Sequence, residues 1–128
     1  MSLSSPLRRV LGWGPARSGV HHWWMQRLTS LALVPLTIWF VVSLWSLPGF
    51  DHLTVLAWLA QIPTALFMIL LVLCAAWHSN LGLQVIIEDY VHRPGARTLL
   101  LVLSRFLHVL AAAAAVLAVL KVALGAVP

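Results

Sequence analysis

Charged side chains are scarce in this sequence: they make up 9% of its 128 residues, and the acids are confined to Asp51, Glu88 and Asp89. A chain that is 62% hydrophobic with a mean hydropathy of +0.98 needs far more polar surface than this to form a soluble domain. The scarcity therefore places it in lipid. Cysteine is nearly absent as well. A lone Cys74 excludes a disulfide framework and a cysteine-based metal site, and in its apolar run it reads as a small buried hydrophobe. Short segments of alternating apolar and polar residues are missing, which excludes a membrane β-barrel. Residues 10–26 contain Trp13, Pro15, Arg17, His21 and His22 where a cleaved secretory signal would have its apolar stretch. A metal-hydrolase motif and a nucleotide-binding loop are also lacking.

What is present is three long apolar runs, each sufficient for a hydrocarbon core that takes about 20 helical residues to cross. The sequence predicts an all-α membrane protein with three transmembrane helices over about 28–47, 63–91 and 98–124. Residues 1–27 form an arm at the cytoplasmic interface, and residues 28–128 form the transmembrane domain. Pro35 interrupts one backbone bond of the first span, which membrane helices tolerate because neighbours satisfy the freed carbonyl. The net charge of +5 could suggest nucleic acid, but its distribution fits a membrane. Arg8, Arg9, Arg17 and Arg27 precede the first span, Arg93 and Arg97 lie between the second and third, and residues 48–59 carry no Lys or Arg. The positive-inside rule then puts the N-terminus and second connection in the cytoplasm, and the first connection and C-terminus in the periplasm.

From Leu53 to Ile87 the only ionisable groups are Cys74 and His78. A histidine that deep in apolar sequence has to be hydrogen-bonded, held by a metal, or turned to a cavity. At 100° per residue Gly82 lies one turn beyond His78 and about 40° round, and Asp89 returns to within about 20° of it, roughly 16 Å nearer the cytoplasm. An axial haem ligand needs a neutral imidazole nitrogen, and a small residue one turn away lets a flat macrocycle approach the backbone. A histidine bonded to a neighbouring helix satisfies the same spacing, and from spacing alone both readings stay open. Further along, Glu88, Asp89, Tyr90, His92 and Arg93 cluster where this helix leaves the membrane. They suit either a solvated helix end with an interfacial tyrosine or a site for a lipid-soluble quinone. A phenol can donate to a quinone carbonyl, and a nearby carboxylate can supply protons.

The residues His78 to His92, with the pattern H-x-x-x-G-x-Q-V-I-I-E-D-Y-V-H, and H-W-W-x-Q-R-L-T from His22 to Thr29 resemble the hydrophobic membrane anchor of succinate dehydrogenase, in its alphaproteobacterial or mitochondrial-like form. The arm from Ser5 to Gly19 is similar too. The resemblance spans about residues 5–93, and the third span matches in length and hydrophobicity. It implies half of a six-helix anchor bundle completed by a second three-helix membrane anchor, the cytochrome b subunit, with an iron-sulfur subunit and a flavoprotein subunit docked on it. It implies one haem b between the two membrane subunits, with His78 as this chain's axial ligand to the iron. It further implies that Tyr90 contacts ubiquinone beside Asp89, and that electrons from succinate oxidation in the tricarboxylic acid cycle reach ubiquinone in the respiratory chain. Arg27 is placed to meet a haem propionate or the quinone pocket, although lipid phosphates explain an arginine there equally well. The resemblance implies the bacterial inner membrane as location, and catalysis of succinate oxidation in the partners.

Arg105 and His108, on one face of the third span, depart from the family's pattern. His108 and His78 fall at similar depth, so one chain could supply both axial ligands; otherwise Arg105 snorkels to the inner interface and His108 bonds to a neighbouring helix. Two other classes compete with the anchor: a small transporter or proton-relay subunit using His78 and Asp89, and an assembly anchor without a cofactor.

Overall fold

The computed structural model describes residues 16–125. Four helices follow in order: α1 (Ala16–Trp45), α2 (His52–Leu59), α3 (Ile62–Tyr90) and α4 (Pro94–Ala123). The three long ones have 30, 29 and 30 residues. At 1.5 Å per residue each measures about 45 Å, more than a hydrocarbon core of about 30 Å. All three are apolar enough over 18 residues to cross a membrane, so the chain is a multi-pass, all-α membrane protein.

The helices form an open array. α3 runs down the middle with α1 on one side and α4 on the other, and among the described residues α1 and α4 do not meet. Five apolar residues of the described chain are buried (Trp58, Ala65, Leu81, Ile87 and Val119), while large side chains such as Leu31, Trp45, Phe106 and Leu110 are exposed along the spans. Without water to exclude, lipid and protein neighbours cover these surfaces, and the chain needs no core of its own.

The boundaries have local causes. Pro63 stands in the first turn of α3 and Pro94 in that of α4, where the missing N–H costs no intrahelical bond. Val91, His92 and Arg93 alone separate α3 from α4, which forces the two helices antiparallel. α1 continues through Pro35 to Trp45. The described helix already includes Ala16, well ahead of Leu28, where hydropathy alone begins the first span. The connection after α1 contains α2, whose N-cap Asp51 accepts from the Thr54 N–H at 3.0 Å and the Thr54 hydroxyl at 2.7 Å.

At the end of the array where α2 lies the packing is aromatic. Trp58 of α2 stacks on Trp39 at 6.3 Å and donates from Nε1 to the Ser43 hydroxyl at 2.8 Å, and Phe67 of α3 lies 5.0 Å from Trp39. The cluster ties α1, α2 and α3 together with its polar edge satisfied.

Candidate functional site

His78 faces α1. Its Nδ1 lies 3.0 Å from the Thr29 hydroxyl and its Nε2 lies 3.3 Å from the Gln26 side-chain amide nitrogen. His22, Gln26 and Thr29 are spaced by four and three residues, so they share one stripe of α1. Thr29 is 9% exposed, one of three buried polar residues in the described chain. A side chain added at Gly82 would begin 3.7 Å from the Gln26 amide nitrogen, so Gly82, Gln26 and His78 converge as the helical spacing of His78 and Gly82 predicts. Two polar atoms of the stripe, His22 Nε2 and Gln26 Oε1, are buried without any hydrogen-bond partner. Orphaned polar atoms in a membrane interior are costly and rare.

The contacts of His78 fix the register of α1 against α3. Thr29 pairs with His78, so in antiparallel helices residue 17 stands level with Tyr90, twelve residues or about 18 Å away. The first described turns of α1 therefore run beside the end of α3 that carries Tyr90. Arg27 accordingly lies near the depth of His78, about 15 Å along the axis from Tyr90. The Arg27 guanidinium packs over the Trp23 ring at 4.5 Å, turned back along α1 toward its N-terminal side.

Asp89 and Tyr90 end α3 in the open. Tyr90 is 79% exposed, and its carbonyl accepts from His92 Nδ1–H at 3.0 Å. Glu88 accepts from Gln84 Nε2 at 2.9 Å and sits 3.9 Å from Arg97 of α4. Within the described chain nothing joins Tyr90 to His78, and an enclosed pocket around the phenol requires another protein.

His108 belongs to the opposite seam. Its Nδ1–H donates to the Ser104 carbonyl at 2.8 Å and its Nε2 accepts from the Ser79 hydroxyl of α3 at 3.2 Å. Asn80 of α3 donates to the Ser104 hydroxyl at 3.4 Å. Arg105 lines a groove of about 180 Å³ with Asn80, Gln84, Leu101, Val102 and Ser104. His78 is turned to α1 and His108 to the α3–α4 seam, so the arrangement in which one chain supplies both axial ligands is not assembled here. No group of three or more metal-ligating side chains occurs among the described residues.

The motif from His22 to Thr29 is visible in the sequence, but it assigns Gln26 and Thr29 no role. Their spacing of three residues on one helical stripe is the available signal; the missing element is the register that sets that stripe against His78.

The chain matches the family model described as succinate dehydrogenase/fumarate reductase transmembrane subunit over residues 1–123, which includes the third span. It is 32% identical over 107 residues to the succinate dehydrogenase hydrophobic membrane anchor subunit of Rickettsia bellii, covering 83% of this chain and 85% of that one. It is also 32% identical over 97 residues to the succinate dehydrogenase membrane anchor subunit of Reclinomonas americana, covering 73% and 80%. The succinate dehydrogenase hydrophobic membrane anchor subunit of Paracoccus denitrificans is 28% identical over 127 residues, covering 99% and 98%. A family match over nearly the whole length, with three apolar spans in place, establishes that the chain belongs to the succinate dehydrogenase/fumarate reductase transmembrane subunit family.

Proposed function

We propose that this chain is the anchor in which His78 contributes one axial ligand to a haem b and Tyr90, with Asp89, serves ubiquinone, within a complex that carries electrons from succinate oxidation to the quinone pool. The observation that carries the haem reading is the α1–α3 seam: an imidazole at depth, a glycine one turn on, and two buried polar atoms, His22 Nε2 and Gln26 Oε1, with no partner. Those features suit a polar-edged macrocycle held between this chain and a second three-helix subunit. Bound there, the haem supplies a one-electron couple whose potential the protein sets through its ligands and their surroundings. The chain's own residues do the rest: His78 offers a nitrogen lone pair, Gly82 leaves the backbone bare beneath the movable Gln26 side chain, and Arg27, level with the same part of α3, offers a charge for a propionate.

The quinone reading rests on placement. Tyr90 and Asp89 end α3 at the cytoplasmic headgroups, exposed to a carrier arriving from lipid and to an iron-sulfur partner docking from water. The Tyr90 hydroxyl donates to a quinone carbonyl, and Asp89, in contact with water, passes the protons that reduction by two electrons requires. The exposed apolar faces of the spans receive the second membrane anchor, and the arginine asymmetry orients the chain in the inner membrane with its N-terminus in the cytoplasm and its C-terminus in the periplasm.

On α3 the stripe between Asp89 and His78 carries Gly82, Val85 and Ile86, which cannot hold a proton, so a relay between the two would have to pass through His22 of α1. The test of the haem reading is the reduced-minus-oxidised spectrum of the complex purified with its partner subunits. Sharp low-spin bands are expected; a colourless membrane domain would leave the chain an assembly anchor without a cofactor.

A further inference from the structure

We propose that Thr29 is a positioning residue for the His78 imidazole, accepting the Nδ1 proton so that Nε2 is the bare, ligating nitrogen. The inference rests on the reading of His78 as an axial ligand and adds a residue and an atom to it. Three distances carry the argument. The Thr29 hydroxyl lies 2.8 Å from the Met25 carbonyl, 3.1 Å from the Gln26 carbonyl and 3.0 Å from His78 Nδ1. Carbonyl oxygens only accept, so the single hydroxyl proton is committed to its own helix, at the shorter distance to Met25. The contact with Nδ1 then needs its proton from the ring.

The opposite tautomer fails on the same count. With Nδ1 bare, the hydroxyl proton would have to turn to the ring, leaving two oxygens 2.8 Å apart with no proton between them. The assigned tautomer also fits the Gln26 amide, whose N–H donates to Nε2 at 3.3 Å. That bond is long and to a flexible side chain standing over Gly82, whereas the Thr29 contact is shorter and to a β-branched residue whose rotamer is fixed by its own back-bond. Gln26 can therefore yield its place at Nε2 while Thr29 keeps hold of Nδ1. Burial of Thr29 to 9% exposure keeps water from competing for that proton.

A hydrogen bond from the far ring nitrogen to an oxygen fixes the orientation of a metal-bound imidazole and raises its basicity, which favours the oxidised metal. In the assembled complex, Thr29→Val removes the acceptor while keeping the shape, and Thr29→Ser keeps the acceptor. Thr29→Val is expected to raise the haem midpoint potential in a redox titration and to alter the low-spin resonance signal, with Thr29→Ser close to wild type in both. Thr29→Ala, which leaves room instead of an extra methyl, is expected to shift the potential in the same direction and covers the case in which the valine variant does not assemble. Potentials and signals of the valine or alanine variants that match wild type would overturn the proposal, as would a serine variant that behaves like valine. His78→Leu run in parallel separates the two layers: if it keeps the wild-type low-spin spectrum, the ligand assignment itself is wrong, and if it loses that spectrum while Thr29→Val changes nothing, only the role of Thr29 falls.

Discussion

His78 and His108 are both histidines inside the membrane portion of the chain, one on each seam of α3, and their surroundings differ in kind. His108 is held by small, fixed partners: a backbone carbonyl on its own helix and the Ser79 hydroxyl across the seam. His78 meets one fixed partner, Thr29, and one loose one, Gln26, and the stripe that supplies them carries two buried polar atoms with nothing to bond. The α3–α4 seam closes on itself through Ser79, Asn80, Ser104, Glu88 and Arg97. The α1–α3 seam is left incomplete beside a glycine. An unsatisfied polar group in hydrocarbon has no water to fall back on, so incompleteness of this kind points to something that arrives later. The lesson is that in a membrane chain a candidate site is identified less by the presence of a histidine than by whether its neighbours are satisfied.

The largest effect on this contrast is expected from filling the incomplete seam. Gly82→Ala places its new carbon at ordinary contact distance from Gln26 and should be tolerated, whereas Gly82→Leu should abolish haem incorporation, read as haem content per purified complex. A leucine variant with full haem content would show that the space over Gly82 is not used.

Tyr90→Phe comes next. It keeps the ring and removes only the hydroxyl, and a lost bond to a carbonyl costs about 0.5–1.5 kcal/mol, more if the carbonyl is left buried and unpaired. Quinone reductase activity should fall several-fold, while succinate oxidation with an artificial acceptor taking electrons from the flavoprotein stays near wild type. Unchanged quinone reduction would make Tyr90 an interfacial anchor.

At the aromatic end beside α2, Trp58→Phe removes the donor to Ser43 without emptying the cluster. The expected loss is about 1 kcal/mol of stability, measured by denaturation in detergent, with haem content unchanged. A loss of haem there would mean that the two ends of the α1–α3 pair are coupled.

The smallest expected effect concerns pH. Hydrogen bonds from the Thr54 hydroxyl and backbone N–H hold the Asp51 carboxyl below its ordinary range. A depressed native value means that the cap's contribution is complete above the unfolded value and disappears only as pH falls through the native one. The fluorescence of Trp58 should therefore be flat from neutral pH down to about pH 5. A transition in that window, abolished by Asp51→Asn, would contradict the assignment of the cap.

Much of this was legible in the sequence. Hydropathy gives three spans, and helical spacing aligns His78 with Gly82, because lipid imposes helices and their period is fixed. Less legible were features that depend on what one helix meets on another. α1 already includes Ala16, ahead of the apolar run, and polar residues around Arg27 hide that in a hydropathy profile. The short α2 depends on a cap at Asp51 inside a segment too brief to show a helical period. The role of Gln26 and Thr29 needed the register between two antiparallel helices, which no single stripe specifies. Tyr90 marks the opposite limit: its motif is plain in sequence, yet within the described chain its side chain is exposed.

The two histidines have different roles, and one pair of variants separates them. His78→Leu and His108→Leu are each assembled with the partner subunits, and the reduced-minus-oxidised spectrum is recorded for both. The low-spin bands are expected to disappear, or convert to a five-coordinate form, in His78→Leu and to survive in His108→Leu. Intact low-spin bands in His78→Leu together with their loss in His108→Leu would contradict it and transfer the ligand to the other seam.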